Sequence, residues 1–224
     1  MKLILLYSGG KDSNLALYKL INKGYKVNLL TVIPKTFDSW MFHRPNVEFT
    51  KIQAECMGLN WQFINVSGEK DKEVQEIIDF LKNKEFDGIA VGVIKSKYQK
   101  EKIEYICDKL NVKAIFPLWN LPEIDILNEI INLGFEVYFS CVAAEGFGKE
   151  WLGRRLDLDT IKELIKLREK YGINITGEGG EYETFVCDSP LFRKRIKITK
   201  SEILWYRNYG YWLIRDYELI SKTK

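Results

Sequence analysis

Apolar side chains along residues 1–134 alternate between two rhythms. Short, nearly unbroken runs give way to stretches in which they recur every three or four positions, and Gly, Pro or Asn marks most of the changes. Lys2–Leu6 with Tyr7 reads as a buried strand. Leu15, Leu17, Tyr18, Leu20 and Ile21 then give a helix one broad apolar face. Val27–Ile33, Trp61–Val66, Asp87–Ile94 and Lys113–Leu118 repeat the strand pattern. Between them the spacing predicts helices from a cap at Asn46 to about Met57, over Glu69–Asn83, over Lys95–Leu110 and over Leu121–Leu133. Strand and crossover helix alternate five times, which predicts an α/β fold: a five-stranded parallel sheet with helices on both faces.

After Phe135 the rhythm changes. A strand over Phe135–Cys141 leads into an irregular, Gly-containing stretch, then a helix over Asp157–Tyr171. The rest is β-like: Phe185–Cys187, Lys194–Ile198, and a run from Ile203 to Leu219 with a bend at Tyr209-Gly210-Tyr211. Residues 1–134 are therefore expected to form one domain and residues 135–224 a smaller C-terminal α+β lobe packed against it, since no linker, repeat or low-complexity tract separates them.

Composition narrows the function classes. The 224 residues are 46% hydrophobic and 29% charged, ordinary for a globular chain, and no apolar run approaches the ~20 residues of a membrane span. With 34 basic and 31 acidic side chains the net charge of +3 is too balanced to draw nucleic acid by itself, so neither membrane nor stable nucleic-acid binding is expected. Cys56, Cys107, Cys141 and Cys187 are scattered, no C-x-x-C occurs, and His43 is the sole histidine, which argues against a structural zinc site or a Cys-His or Ser-His-Asp centre. Buried, reduced thiols in a cytoplasmic protein are the expectation, and the direct start into the first strand leaves no room for a signal peptide. The irregular Lys35–Pro45 stretch carries Trp40, Met41, Phe42 and His43; it either folds onto the core or closes over a ligand.

The chemistry begins where the first strand ends. Ser8-Gly9-Gly10-Lys11-Asp12-Ser13 turns a buried strand into a helix N-terminus. Main-chain N–H groups point outward at such a turn, glycine allows close approach, and the helix dipole, Lys11 and the hydroxyls of Ser8 and Ser13 all favour a phosphate or pyrophosphate. Neither G-x-x-x-x-G-K-[ST] nor G-x-G-x-x-G is present. A second constellation, Gly92 to Glu104, lies at the end of the fourth strand. It is either a solvated helix start with i,i+4 charge pairs or a set in which Ser96, Tyr98 and Gln99 face a ligand across the sheet ends. A third, Gly177–Thr184, gathers Glu178, Glu181 and Glu183 among glycines. Like charges this close call for a cation such as Mg²⁺, ammonium or a cationic substrate.

The Ser8–Ser13 stretch resembles the S-G-G-x-D-S loop (PP-loop) of the ATP pyrophosphatases. Together with Gly92–Cys107, Pro117-Leu118-Trp119 and Gly177–Thr184, the chain resembles the diphthine–ammonia ligase family over essentially its whole length. The resemblance implies a HUP, or Rossmann-like, nucleotide-binding fold. It also implies amidation of diphthine, a modified histidine on translation elongation factor 2, to diphthamide, with ATP converted to AMP and pyrophosphate. It makes Ser8, Gly9, Gly10, Lys11, Asp12 and Ser13 the ATP-binding set, with Lys11 as electrostatic clamp and Asp12 the candidate Mg²⁺ ligand. Lys11, Asp12, Glu178 and Glu183 become the candidate catalytic residues. Ser96, Tyr98, Gln99, Trp119, Glu178, Glu181, Tyr182, Glu183 and Thr184 become the candidate substrate-binding residues, the carboxylates and aromatic rings among them suiting a trimethylammonium group. Free ammonium is the expected nitrogen source, since the chain has no second domain large enough for a glutaminase. Three positions depart from the family pattern: Lys100 and Lys102 stand where arginine is usual, and Tyr182 where phenylalanine is common.

Two rivals remain open on sequence: another ATP pyrophosphatase such as a tRNA-modifying enzyme, and a non-catalytic adenine-nucleotide sensor. The basic Arg193–Lys200 run reads as a solvated strand face or as a contact for RNA or an acidic protein. Oligomeric state is left open, a homo-oligomer included.

Overall fold

A computed structural model describes residues 1–35, 46–69 and 72–222. The expectations for Trp40, Met41, Phe42 and His43 fall outside the described residues. In the first part of the chain, β1 (Lys2–Leu6), β2 (Lys26–Pro34), β3 (Trp61–Val66), β4 (Gly88–Val91) and β5 (Lys113–Ile115) form one parallel sheet in the order β3-β2-β1-β4-β5. Helices α1 (Lys11–Asn22), α2 (Thr50–Met57), α3 (Lys72–Leu81), α4 (Lys97–Leu110) and α5 (Glu123–Asn132) alternate with the strands. The strand order reverses between β1 and β4, and the crevice at such a reversal is where ligands of open α/β sheets bind.

The two faces of β1 belong to two cores, as strand alternation requires. Ile4 and Leu6 pack with Val74 and Ile77 of α3 and Ile103 and Ile106 of α4. Leu3 and Leu5 pack in a larger core that also holds Leu15 and Leu17 of α1, Ile126 and Leu127 of α5, and Phe139, Trp151 and Phe185 of the second lobe. The sheet is thus covered on both faces, with one cover shared between helices and the second lobe.

That lobe contains a four-stranded antiparallel sheet, β6 (Glu136–Val142), β7 (Tyr182–Asp188), β8 (Lys194–Tyr206) and β9 (Tyr209–Ser221), in the order β7-β6-β9-β8. Helix α6 (Leu158–Tyr171) starts in a reciprocal capping box between Asp157 and Thr160 and ends at Gly172, whose φ is +73°. Polar ties cross between the lobes: the Gln53 amide donates to the Val186 carbonyl at 2.8 Å, and the Arg193 N–H donates to the Cys56 carbonyl at 2.7 Å.

Four local expectations change. Strands β4 and β5 are shorter than the apolar runs implied, because the chain turns after Val91 against the start of α1 and after Ile115 toward the Trp119 turn. Asn46 does not cap α2. Its φ is +63°, and its amide donates to the Trp212 carbonyl and accepts from the Ile214 N–H, each at 2.9 Å, so it fastens α2's entry to β9. The bend of the last hairpin is Arg207-Asn208, with Arg207 at φ +30°, and Tyr209-Gly210-Tyr211 is strand paired to Leu204–Tyr206. The basic run of β8 is an exposed face in which Arg195 pairs with Glu136 and Lys197 with Glu218. All four cysteines are buried and form no disulfide.

Candidate active site

At the carboxyl ends of β1 and β4, a cleft of about 380 Å³ opens between the lobes. Its first wall is the turn from β1 into α1. Gly9 has φ +80°, the left-handed region, and a side chain there would also strike Gln53 Oε1. The turn is laced from within: Ser13 Oγ donates to the Gly10 carbonyl at 3.0 Å, and the Asn14 amide donates to Gly9 and Gly10 carbonyls at 3.1 and 3.0 Å while accepting from the Tyr7 hydroxyl. Burial pushes the Tyr7 phenol far above its ordinary range, so it stays a neutral donor.

The turn is also held from the second lobe. The Lys11 main-chain N–H donates to Thr184 Oγ1 at 3.0 Å, and the Gly9 carbonyl accepts from the Val186 N–H at 3.2 Å. Gln53, fully buried in α2, donates to both the Gly9 and Val186 carbonyls at 2.9 and 2.8 Å. Lys11 itself is 2% exposed. Its ammonium pairs with Asp12 at 2.8 Å, donates to the Thr176 carbonyl and lies 5.1 Å from the Tyr182 ring centre. The other Asp12 oxygen, Oδ1, is buried and has no hydrogen-bond partner among the described residues.

The second wall is the end of β4. Gly92 is required there because a Cβ would stand 2.8 Å from the Asp12 main-chain carbon and oxygen. The Ile94 and Lys95 N–H groups both donate to Glu178, one to each carboxylate oxygen at 2.6 Å. The third wall is the Gly177–Thr184 segment, which turns at Gly177 and Gly180 and enters β7.

Ser8, Gly10, Lys11, Asp12, Ser13, Gln99, Glu178, Tyr182, Glu183 and Thr184 are brought together around this cleft. The other candidates do not line it. Gly9 faces Gln53. Ser96 caps α4, accepting from the Gln99 N–H at 3.3 Å. Tyr98 packs against the second core, with the Lys102 ammonium 5.7 Å from its ring centre. Trp119 sits 6.3 Å from Phe116 with Lys100 near its face. Glu181 accepts from the Asn174 N–H and shapes the turn. Tyr182 lines the cleft but is 2% exposed, donates to the Ile175 carbonyl at 2.7 Å and packs on Phe139, so it is a wall and not an open aromatic face. Asn14, Gln53, Thr176 and Tyr211 were not readable as site residues; only Asn14, a polar residue on the buried face of α1 beside the glycines, left a sequence signal.

The residues suit a triphosphate more than a bare metal. Among the described residues no cluster of three or more Asp, Glu, His or Cys side chains could hold an ion alone. Asp12 Oδ1 fits a cation whose remaining ligands are phosphate oxygens and water.

Residues 1–114 match the family model for the diphthamide synthase N-terminal domain, and residues 122–220 match that for the C-terminal domain. The human protein named diphthine–ammonia ligase is 32% identical over 91% of this chain and 85% of its own length. This chain belongs to the diphthine–ammonia ligase family. The zebrafish (Danio rerio) diphthine–ammonia ligase is likewise 32% identical, over 90% of this chain and 88% of its own. The Schizosaccharomyces pombe diphthine–ammonia ligase is 30% identical over 91% of this chain, which spans 37% of that longer protein. Both ligase-family models meet in the cleft, the first supplying the β1–α1 turn and the second Glu178, Glu183 and Thr184. No helix among the described residues of this ligase-family chain is long and apolar enough to cross a membrane.

Proposed function

We propose that the chain is an ATP-dependent ligase that amidates diphthine on translation elongation factor 2 with free ammonium, in the cytoplasm. The observation that carries this reading is the meeting, in one cleft, of the turn at the start of α1 with Glu178 and Glu183 from the other lobe. The names of the relatives, diphthine–ammonia ligases, support diphthine as the substrate and ammonia as the nitrogen donor.

ATP binds with its phosphates at the Ser8–Ser13 turn. There the positive end of α1 offsets the charge of the leaving pyrophosphate. Lys11 adds a full positive charge and holds the turn closed through Asp12 and the Thr176 carbonyl. Asp12 would hold Mg²⁺, and the ion would neutralise phosphate charge when bound. A carboxylate is a poor acyl donor because its oxygen leaves badly. One oxygen of the diphthine carboxylate therefore attacks the α-phosphorus, the bond to the bridging oxygen breaks, and pyrophosphate departs. The nitrogen of ammonia then attacks the acyl carbon and AMP leaves, giving the amide. The cleft contributes mainly by fixing the two reactants together.

Incubation with ATP, ammonium and diphthine-bearing factor tests the proposal by the mass of the modified histidine. The expected result is an acid-to-amide change with stoichiometric AMP and pyrophosphate, and no product when glutamine replaces ammonium. ATP bound without pyrophosphate release would instead mark a nucleotide sensor.

A further inference from the structure

Two polar side chains of α2, Thr50 and Gln53, are fully buried beside Ala54, Cys56 and Met57. Thr50 is matched locally, donating to the Val47 carbonyl at 2.7 Å. Gln53 reaches away from its own segment. Its amide donates to the Gly9 carbonyl of the β1–α1 turn and to the Val186 carbonyl of β7. Its oxygen, Oε1, lies against Gly9 and has no hydrogen-bond partner among the described residues. A buried acceptor left unmatched costs stability, so this amide is placed for its two donors. The Gly9 carbonyl receives more than Gln53. Asn14 Nδ2 donates to it at 3.1 Å and the Val186 N–H at 3.2 Å, so three donors converge on an oxygen with two lone pairs. The carbonyl of Gly9 and the N–H of Gly10 are opposite edges of one rigid peptide plane. With the carbonyl held inward, the Gly10 N–H faces the Ser8 side, where it meets Ser8 Oγ at 3.5 Å, the long limit of a hydrogen bond. Ser8 and Gly10 both line the cleft. Gly9, at φ +80°, does not hold this plane by its own sterics, because glycine accepts either sign of φ.

We infer that Gln53 is a positioning residue for nucleotide binding: its amide fixes the Gly9–Gly10 peptide so that the Gly10 N–H meets a phosphate oxygen in place of the Ser8 hydroxyl. A charged phosphate oxygen is a stronger acceptor than a neutral hydroxyl at 3.5 Å, so the exchange favours the ligand. Gln53 acts through the turn and does not line the cleft. Asn14 belongs to α1 and moves with the turn it braces, and the Val186 N–H belongs to β7. Gln53 comes from a third element and bonds both sides, so it also sets how closely β7 approaches the turn. That approach is tight: Thr184 of β7 accepts from the Lys11 N–H at 3.0 Å, and its carbonyl would lie 3.2 Å from a Cβ on Gly10. The chemistry of the position is narrow. A carboxylate would turn acceptors on two carbonyls, an aliphatic or thioether chain offers no donor, and asparagine is one methylene too short. The inference rests on the proposed reading of the Ser8–Ser13 turn as the ATP phosphate site.

Two measurements on the full chain test it. Gln53→Met keeps length and bulk and removes both donors. Calorimetry should show ATP and inorganic pyrophosphate each bound about tenfold more weakly by this variant, equivalent to about 1.4 kcal/mol. Adenosine, followed by ligand-observed NMR, should bind both proteins alike, since it has no phosphate for the turn to hold. Equal loss for ATP and adenosine makes Gln53 a general brace of the cleft and overturns the inference, as does unchanged ATP affinity. The second measurement uses the wild-type chain and does not depend on the variant folding. In nitrogen-labelled protein, pyrophosphate should shift the Gly10 N–H resonance saturably, while the Gln53 side-chain amide protons stay slow to exchange with solvent. A Gly10 resonance that ignores pyrophosphate, or a Gln53 amide that exchanges freely, overturns the inference. A chain that binds ATP through this turn and amidates nothing keeps the role of Gln53 and removes the ligase reading. Wild-type protein that binds neither ATP nor pyrophosphate overturns both.

Discussion

Glu178 presents one carboxylate oxygen to each of two consecutive main-chain N–H groups, those of Ile94 and Lys95, and so bolts the acidic turn of one lobe to the sheet end of the other. An amide cannot do this, because one of its two heads is itself a donor. Glu178→Gln should therefore lower unfolding free energy by about 1 kcal/mol in urea denaturation, the typical net value of a hydrogen bond at a half-buried site. If Glu178 also touches the substrate, the KM for diphthine-bearing factor rises in the same variant; a change in stability alone assigns it to positioning. The sequence marked Lys11, Asp12 and Glu178 because charge beside glycine is conspicuous. It could not mark Gln53, which donates to main-chain carbonyls, or Thr176, whose main-chain carbonyl accepts from the Lys11 ammonium, because only the folded chain brings these groups together. Sequence also could not tell the enclosed ring of Tyr182, which lines the cleft, or the position of Trp119, which does not, for a related reason. An aromatic ring in a motif looks the same whether its face is open or enclosed, and Tyr182 is enclosed by Phe139, Phe147 and the Lys11 ammonium.

Among the elements, the strand-to-helix joint of β1 and α1 is the most constrained. Gly92 brings the end of β4 against the Asp12 main chain, so Gly92→Ala forces backbone from backbone. The expected cost is about 1–3 kcal/mol, with weaker ATP binding measured by calorimetry on protein that remains folded. The last hairpin is constrained at its other end by Asn46, whose two bonds to β9 are buried. Asn46→Ala strands a carbonyl and an N–H and should cost about 2 kcal/mol in the same denaturation experiment. The parallel sheet was readable because its strands are apolar on both faces and its helices on one. The ends of β4 and β5 were not, since apolar residues continue past the last ladder bond. The bend of the hairpin was misplaced by two residues because glycine at 210 suggested a turn. Its role there is to leave room for the Trp205 ring.

At the scale of the whole molecule, the two lobes share one apolar core that buries Cys56, Cys187 and Tyr182, while Cys107 is buried in the core on the other face of the parallel sheet. Burial pushes the Cys56 and Cys107 thiols up to about 11, from an ordinary value of 9.0, and lifts Cys187 and Tyr182 further still. The folded chain thus keeps protons that the unfolded chain sheds above pH 9. Stability from these groups is full below about pH 9 and falls as the pH climbs through 11. Thermal melts should accordingly hold steady to about pH 9 and then drop by several degrees by about pH 10.5, with no matching loss from this source on the acid side. The same interlocking has a consequence during synthesis. The partners that hold Lys11 in place, Thr176 and Thr184, are encoded 165 and 173 positions after it. A nascent chain on the ribosome therefore carries the β1–α1 turn without its clasp until most of the message has been translated.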